Sequence, residues 1–165
     1  MTTPKEISFV ETDLAALAEM PGKIALIVDP DTGLSRAARR INSLTKGALK
    51  RFVESPAFDE LGVASGHALS FPAGMAAEGL LVVKLDRRAD QATARKAGAA
   101  MAGFRGRSDL AILATNHPRA ADISFGLALK SYDFNAHKTD VKADEGKIAM
   151  MVNKPEKVAA EAAPM

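Results

Sequence analysis

Three apolar runs without a polar break constrain this chain more than any other feature: Ile24-Ala25-Leu26-Ile27-Val28, Leu80-Leu81-Val82-Val83 and Leu110-Ala111-Ile112-Leu113-Ala114. A strand with one face in water alternates apolar and polar residues. A run that is apolar throughout has to be covered on both faces. Pro21-Gly22 precedes the first run, Asp29-Pro30-Asp31-Thr32-Gly33 follows it, and Gly79 precedes the second. Between the runs lie stretches long enough for helices. The pattern predicts an α/β layered sheet.

Shorter strand candidates complete the sheet. They are Glu6-Ile7-Ser8-Phe9-Val10, His67-Ala68-Leu69-Ser70-Phe71 and Gly146-Lys147-Ile148-Ala149-Met150-Met151-Val152. The strands on either side of Pro72 are close enough to pair as a hairpin, which makes the sheet mixed. Residues 13–20 are helix-compatible and are punctuated by Pro21-Gly22. From Leu34 onward, Ala37, Ala38, Ile41, Leu44, Ala48, Leu49 and Phe52 recur at helical steps. Gly47 is a place for that helix to break or kink, and Pro56 lies beyond its end. An alanine-rich helix is expected over 89–104 and a further helix over 120–130. Residues 153–165 show no periodicity that closes a core, so they are expected to fray.

A chain of 165 residues fits one domain. That length buries about 70% of the surface its unfolded form exposes. The net charge of +2 calls for no strongly charged partner. The absence of cysteine excludes a disulfide framework, thiolate zinc sites and a thiol nucleophile. The first residues lack the apolar core of a signal peptide, and no apolar run approaches the roughly 18 residues that span a bilayer. A soluble cytoplasmic protein without a membrane partner is expected. With no tryptophan and one tyrosine, stacking platforms for single strands are scarce.

The candidate chemical motifs fall short on spacing. His67, His117 and His137 stand 50 and 20 residues apart, whereas a helical ligand pair needs three or four. They read as separate surface or loop histidines. The segment from Asp29 to Gly33 opens like a calcium loop, but its fifth, sixth and twelfth positions are Gly33, Leu34 and Arg40. It reads instead as a turn, with Asp31 or Thr32 capping the next helix. Gly103-Phe104-Arg105-Gly106 has the spacing of a nucleic-acid clamp, yet a strand follows at once, so a glycine helix stop is expected. Gly74 and Gly79 have the interval of a phosphate loop, but Leu80 follows where lysine and a hydroxyl belong. Ser65 has no base that the sequence can orient toward it. Arg36, Arg40, Ser43, Lys46 and Lys50 could touch phosphates. A charged outer face is also what any core-packed surface helix shows. No catalytic, cofactor-binding or metal residue is assigned.

One stretch is more specific. Gly126-Leu127-Ala128-Leu129-Lys130-Ser131-Tyr132-Asp133-Phe134-Asn135-Ala136-His137-Lys138-Thr139 resembles the end of the amino-terminal domain of the leucyl (cytosol) aminopeptidase family. Upstream, Leu26-Ile27-Val28, Lys46-Gly47-Ala48-Leu49, the segment Gly66-His67-Ala68-Leu69-Ser70-Phe71-Pro72 and Gly79-Leu80-Leu81-Val82-Val83-Lys84-Leu85 follow in the family's order. The resemblance covers about residues 6–152. It implies a macro-domain-like, three-layer mixed sheet flanked by helices. It makes 1–152 a non-catalytic amino-terminal domain and 153–165 a frayed tail or the start of an interdomain linker.

In that family a second, catalytic domain holds two divalent metals (zinc, manganese or magnesium) and the catalytic lysine and arginine. Its Asn-Thr-Asp-Ala-Glu-Gly signature is absent from this sequence. The resemblance therefore implies no cofactor in this fragment and no activity alone. The implied partners are its own catalytic domain, a homohexamer and, for the parent enzyme, peptides. The alternatives are a DNA-binding accessory module and a macro-like nucleotide binder of the ADP-ribose type.

Overall fold

The computed structural model describes residues 7–31, 34–72, 74–105, 108–115, 117–136 and 147–162. The apolar runs are the strands β2 (Lys23–Val28), β4 (Gly79–Lys84) and β5 (Leu110–Thr115). With β1 (Ile7–Glu11), β3 (Gly66–Ser70) and β6 (Ile148–Val152) they form a six-stranded sheet in the order β1-β6-β5-β2-β4-β3. Every neighbouring pair is parallel except β3 and β4, which are antiparallel. The sheet is mixed, and its reversed strand is the one expected around Pro72.

Successive residues of β2 explain the missing polar break. Ala25 and Ile27 join one core cluster, and Ile24, Leu26 and Val28 join the other. The first cluster lies under α4 (Gln91–Arg105) and α5 (Ala120–Ala136), through Ala94, Ala97, Met101, Ile123 and Leu127. The second lies under α1 (Arg36–Leu44), α2 (Ala48–Val53) and α3 (Pro56–Glu60), through Ala37, Ala38, Ile41, Leu49 and Phe58. The result is a three-layer α/β fold. Two strand lysines finish helices from below. Lys23 Nζ donates to the Phe104 carbonyl at 2.8 Å, and Lys84 Nζ donates to the Phe58 carbonyl at 3.2 Å. Each puts a positive charge where the helix carries its negative end.

The alanine-rich helix supplies closeness rather than volume. A Cβ added to Gly98 of α4 would stand 2.0 Å from the Ile123 carbonyl oxygen, and one added to Gly126 of α5 would stand 2.0 Å from that of Arg95. The two helices meet backbone to backbone, and small side chains along the crossing permit it.

Several elements differ from expectation. Residues 13–20 form hydrogen-bonded turns rather than a helix, with Leu17 N–H donating to the Leu14 carbonyl at 3.4 Å and Leu17 fully buried. The buried Leu17 is enough to pin a turn. The helix expected from Leu34 to Phe52 divides into α1 and α2 at Lys46 and Gly47, whose φ values are 57° and 87°. Pro56 opens a new helix, α3, as well as lying beyond the old one. α5 runs on to Ala136, past the expected end near Lys130. The tail expected to fray contains α6 (Pro155–Ala162), which packs against α5 and β1 and rests Val158 on the first core cluster. These contacts are with elements distant in sequence, so no periodicity within the segment reports them.

Candidate functional site

The carboxyl ends of β2, β4 and β5 lie along one edge of the sheet, because all three strands run parallel. The chain leaving β2 passes to the face of α1, whereas β4 and β5 lead into α4 and α5 on the opposite face. Such a divergence marks the usual ligand position of open α/β sheets, the crevice outside the strand ends.

Asp29 follows β2 directly and is buried. Its Oδ1 accepts the Asp31 N–H at 2.7 Å, and its Oδ2 accepts the Arg87 N–H at 3.1 Å, so it ties its own turn to the segment after β4. Asp86, in that segment, accepts the Arg88 N–H at 2.7 Å. One carboxylate oxygen each of Asp29, Asp31 and Asp86 lie within 4.8 Å of one another. The bonds to backbone N–H groups make Asp29 and Asp86 fasteners of loops.

His117 follows β5 and is buried. Its Nδ1 accepts the Arg119 N–H at 3.0 Å. The ring proton of the neutral form is therefore on Nε2, which donates to the Asp86 carbonyl at 3.1 Å. Burial lowers the His117 pKa below the ordinary 6.5. The hydrogen bond to the Asp86 carbonyl opposes the shift, the charge of Arg87 adds to it, and the carboxylates of Asp29 and Asp86 oppose it. Beside it, Arg119 Nε donates to the Ala89 carbonyl at 3.3 Å, and the buried Asp122 lies 3.5 Å from both Arg119 and Arg95.

The structure disperses the other residues considered from sequence. His67 is exposed on the edge strand β3, its ring stacked on Phe52 at 4.6 Å, and β4 and β2 separate that strand from β5. His137 lies outside the described residues, as do Thr32, Gly33 and Gly106. The cap of α1 is Ser35, whose side chain accepts the Ala38 N–H at 3.2 Å, and Asp31 does not take that role. Asp31 stands too far before the helix. Gly103, Phe104 and Arg105 form the last turn of α4. Ser65 precedes β3 and is hydrogen-bonded to neither described histidine. Arg36, Arg40, Ser43, Lys46 and Lys50 are all exposed along α1, α2 and their connection.

Sequence reasoning missed the meeting of Asp29, Asp86 and His117. A signal existed, because Val28-Asp29 and Leu85-Asp86 each place an aspartate directly after an apolar run.

No protein-family model matches the chain. A probable cytosol aminopeptidase of Cereibacter sphaeroides is 47% identical over 165 residues, which is all of this chain and 34% of that relative. One of Dinoroseobacter shibae is 42% identical over 154 residues, 93% of this chain and 32% of that relative. The chain is a homologue of the amino-terminal domain of cytosol aminopeptidases.

The chain spans about a third of the length of the curated relatives it matches. Solved structures agree on its fold. Tomato leucine aminopeptidase, in a mutant form, superposes with a TM-score of 0.66 at 14% identity, over 97% of this chain and 36% of that one. A macrodomain of Oceanobacillus iheyensis, also a mutant, gives 0.62 at 9% identity, over 98% and 92%. The fold of this chain is therefore macro-domain-like. Among its described residues no helix is long and apolar enough to cross a membrane.

Proposed function

We propose that this chain is the accessory, non-catalytic domain of a metal-dependent leucyl aminopeptidase, and that it does not hydrolyse peptides alone. The supporting observation is one of coverage: 47% identity runs along the whole chain yet accounts for 34% of the relative. The domain is residues 1–152 together with the packed helix α6, and the chain beyond that helix leads toward the catalytic part. The remaining length of such an enzyme would hold two divalent metals, which activate water against the first peptide bond. Asp29 and Asp86 in this chain hold backbone N–H groups and take no part in that chemistry. The proposed partners are the catalytic domain, a homohexamer with this domain outermost, and peptide substrates of the parent, all in the cytoplasm.

The purified chain, supplied with manganese or zinc, should release no p-nitroaniline from leucine p-nitroanilide above the buffer rate. Turnover of about 1 per second or faster, the ordinary enzyme range, would overturn the reading.

Charge supports a second reading. Arg36, Arg39, Arg40, Lys46, Lys50 and Arg51 are all exposed on α1, α2 and their connection. Among them, Lys50 has a carboxylate neighbour in Glu54, at 4.0 Å. We propose duplex DNA as the partner of this face. In gel-shift titrations affinity should fall steeply with salt. The triple change Arg36→Ala, Arg40→Ala and Lys50→Ala should flatten the salt slope by about one for each phosphate no longer neutralised. A titration without a shift at low salt would remove this reading.

A further inference from the structure

We propose that His117 is a pH-sensitive latch, holding the segment after β4 to the turn before α5 only while its ring is neutral. Both ring nitrogens are committed in opposite senses: Nδ1 accepts from Arg119 N–H at 3.0 Å, and Nε2 donates to the Asp86 carbonyl at 3.1 Å. A second proton has to go on Nδ1. It then points at an N–H that is itself a donor, so one hydrogen bond becomes a repulsive contact. The ring is buried and cannot hydrate in place. Swinging out to water satisfies both of its N–H groups but breaks both ends of the latch.

The charged groups around it come from four elements. Asp29 follows β2, and Asp86 and Arg87 follow β4. Arg119 precedes α5 and is held by Asp122 of that helix, which also meets Arg95 of α4. Burial is the largest influence and favours the neutral ring; the Nε2 bond to the Asp86 carbonyl opposes it, the charge of Arg87 adds to it, and the carboxylates of Asp29 and Asp86 oppose it. With the folded value lowered, the latch contributes its full stability above the unfolded value of about 6.5. That contribution shrinks as the pH falls from there to the folded value, and no further loss follows below it. The same turn has a second fastening, from Arg119 Nε to the Ala89 carbonyl at 3.3 Å, which has to hold the two segments alone once the latch opens. Opening therefore loosens the walls of the crevice at the strand ends.

The test is nitrogen-15 histidine spectroscopy and amide exchange on the 165-residue chain. The neutral ring should show its proton on Nε2 and should titrate below the ordinary histidine range. Protection factors at Arg119 and Ala89 should drop roughly five- to tenfold through that titration, the effect of losing one buried hydrogen bond. His117→Gln keeps a donor for the Asp86 carbonyl and removes the titration, so its protection should be flat with pH. A neutral ring protonated on Nδ1, a titration at or above the ordinary value, or the same pH-dependent loss in His117→Gln would each overturn the latch.

Discussion

Replacing Gly98 with leucine should abolish folding, and alanine at that position should cost roughly 1–3 kcal/mol, the usual range for overpacking. Even the single Cβ of alanine would stand 2.0 Å from the Ile123 carbonyl oxygen and 2.8 Å from the Leu127 nitrogen, both backbone atoms of α5. Backbone inside a helix cannot turn aside as a flexible side chain can. The helices would have to separate, uncovering Ala94, Ala97, Met101, Ile123 and Leu127 in the cluster they share. Folding free energies are only about 5–15 kcal/mol, so a leucine there exceeds what the domain can lose. Gly103 provides the control. It sits in the same helix with nothing within 4 Å of its would-be Cβ, so Gly103→Ala should stabilise by about 0.5–1 kcal/mol through helix propensity alone. Urea midpoints of the two alanine variants should move in opposite directions. Shifts of the same sign and size would show that α4 and α5 do not meet at their backbones.

What could be read from the sequence follows from how local each signal is. The apolar runs of β2, β4 and β5 reported their own burial, because a strand covered on two faces has no polar positions to offer. The pairing across Pro72 was legible because its two strands are near in sequence. α6 was not legible, since one valine against a core assembled elsewhere leaves no period to detect. The split between α1 and α2 was half-legible. Gly47 marked the place, but the left-handed φ of Lys46 had no marker. The crevice was legible only as two unconnected halves. Val28 sits opposite Lys84 in the sheet, and that register brings Asp29 level with the segment holding Asp86 and Arg87. More than fifty residues separate the two aspartates along the chain, and no local pattern carries their alignment. The Tyr132 motif that suggested the family has its end, His137, Lys138 and Thr139, outside the described residues.

Asp29→Ala should destabilise the domain by about 2–4 kcal/mol, because two backbone donors lose a charged acceptor and hydrogen bonds to charged groups are worth about 1.5–3 kcal/mol each. The donors are the Asp31 N–H at 2.7 Å and the Arg87 N–H at 3.1 Å, and the second bond joins segments that follow different strands. Asp29→Asn keeps one acceptor oxygen and turns an amide N–H against the other donor, so it should recover about half of the loss. Asp31 is exposed, and among the described residues its bond to the turn is made by its backbone N–H, so Asp31→Ala should stay within about 0.5 kcal/mol of the parent. Urea unfolding gives the energies, and amide exchange at Arg87 shows whether the loss begins at that bond. The experiment separates two physical accounts of the same residues. Three carboxylates within 4.8 Å of one another repel. If that repulsion governed the site, removing Asp29 would relieve it and raise stability. If backbone fastening governs, the change lowers stability and exposes the Arg87 amide first. A more stable Asp29→Ala chain would therefore overturn the fastening role assigned to this aspartate.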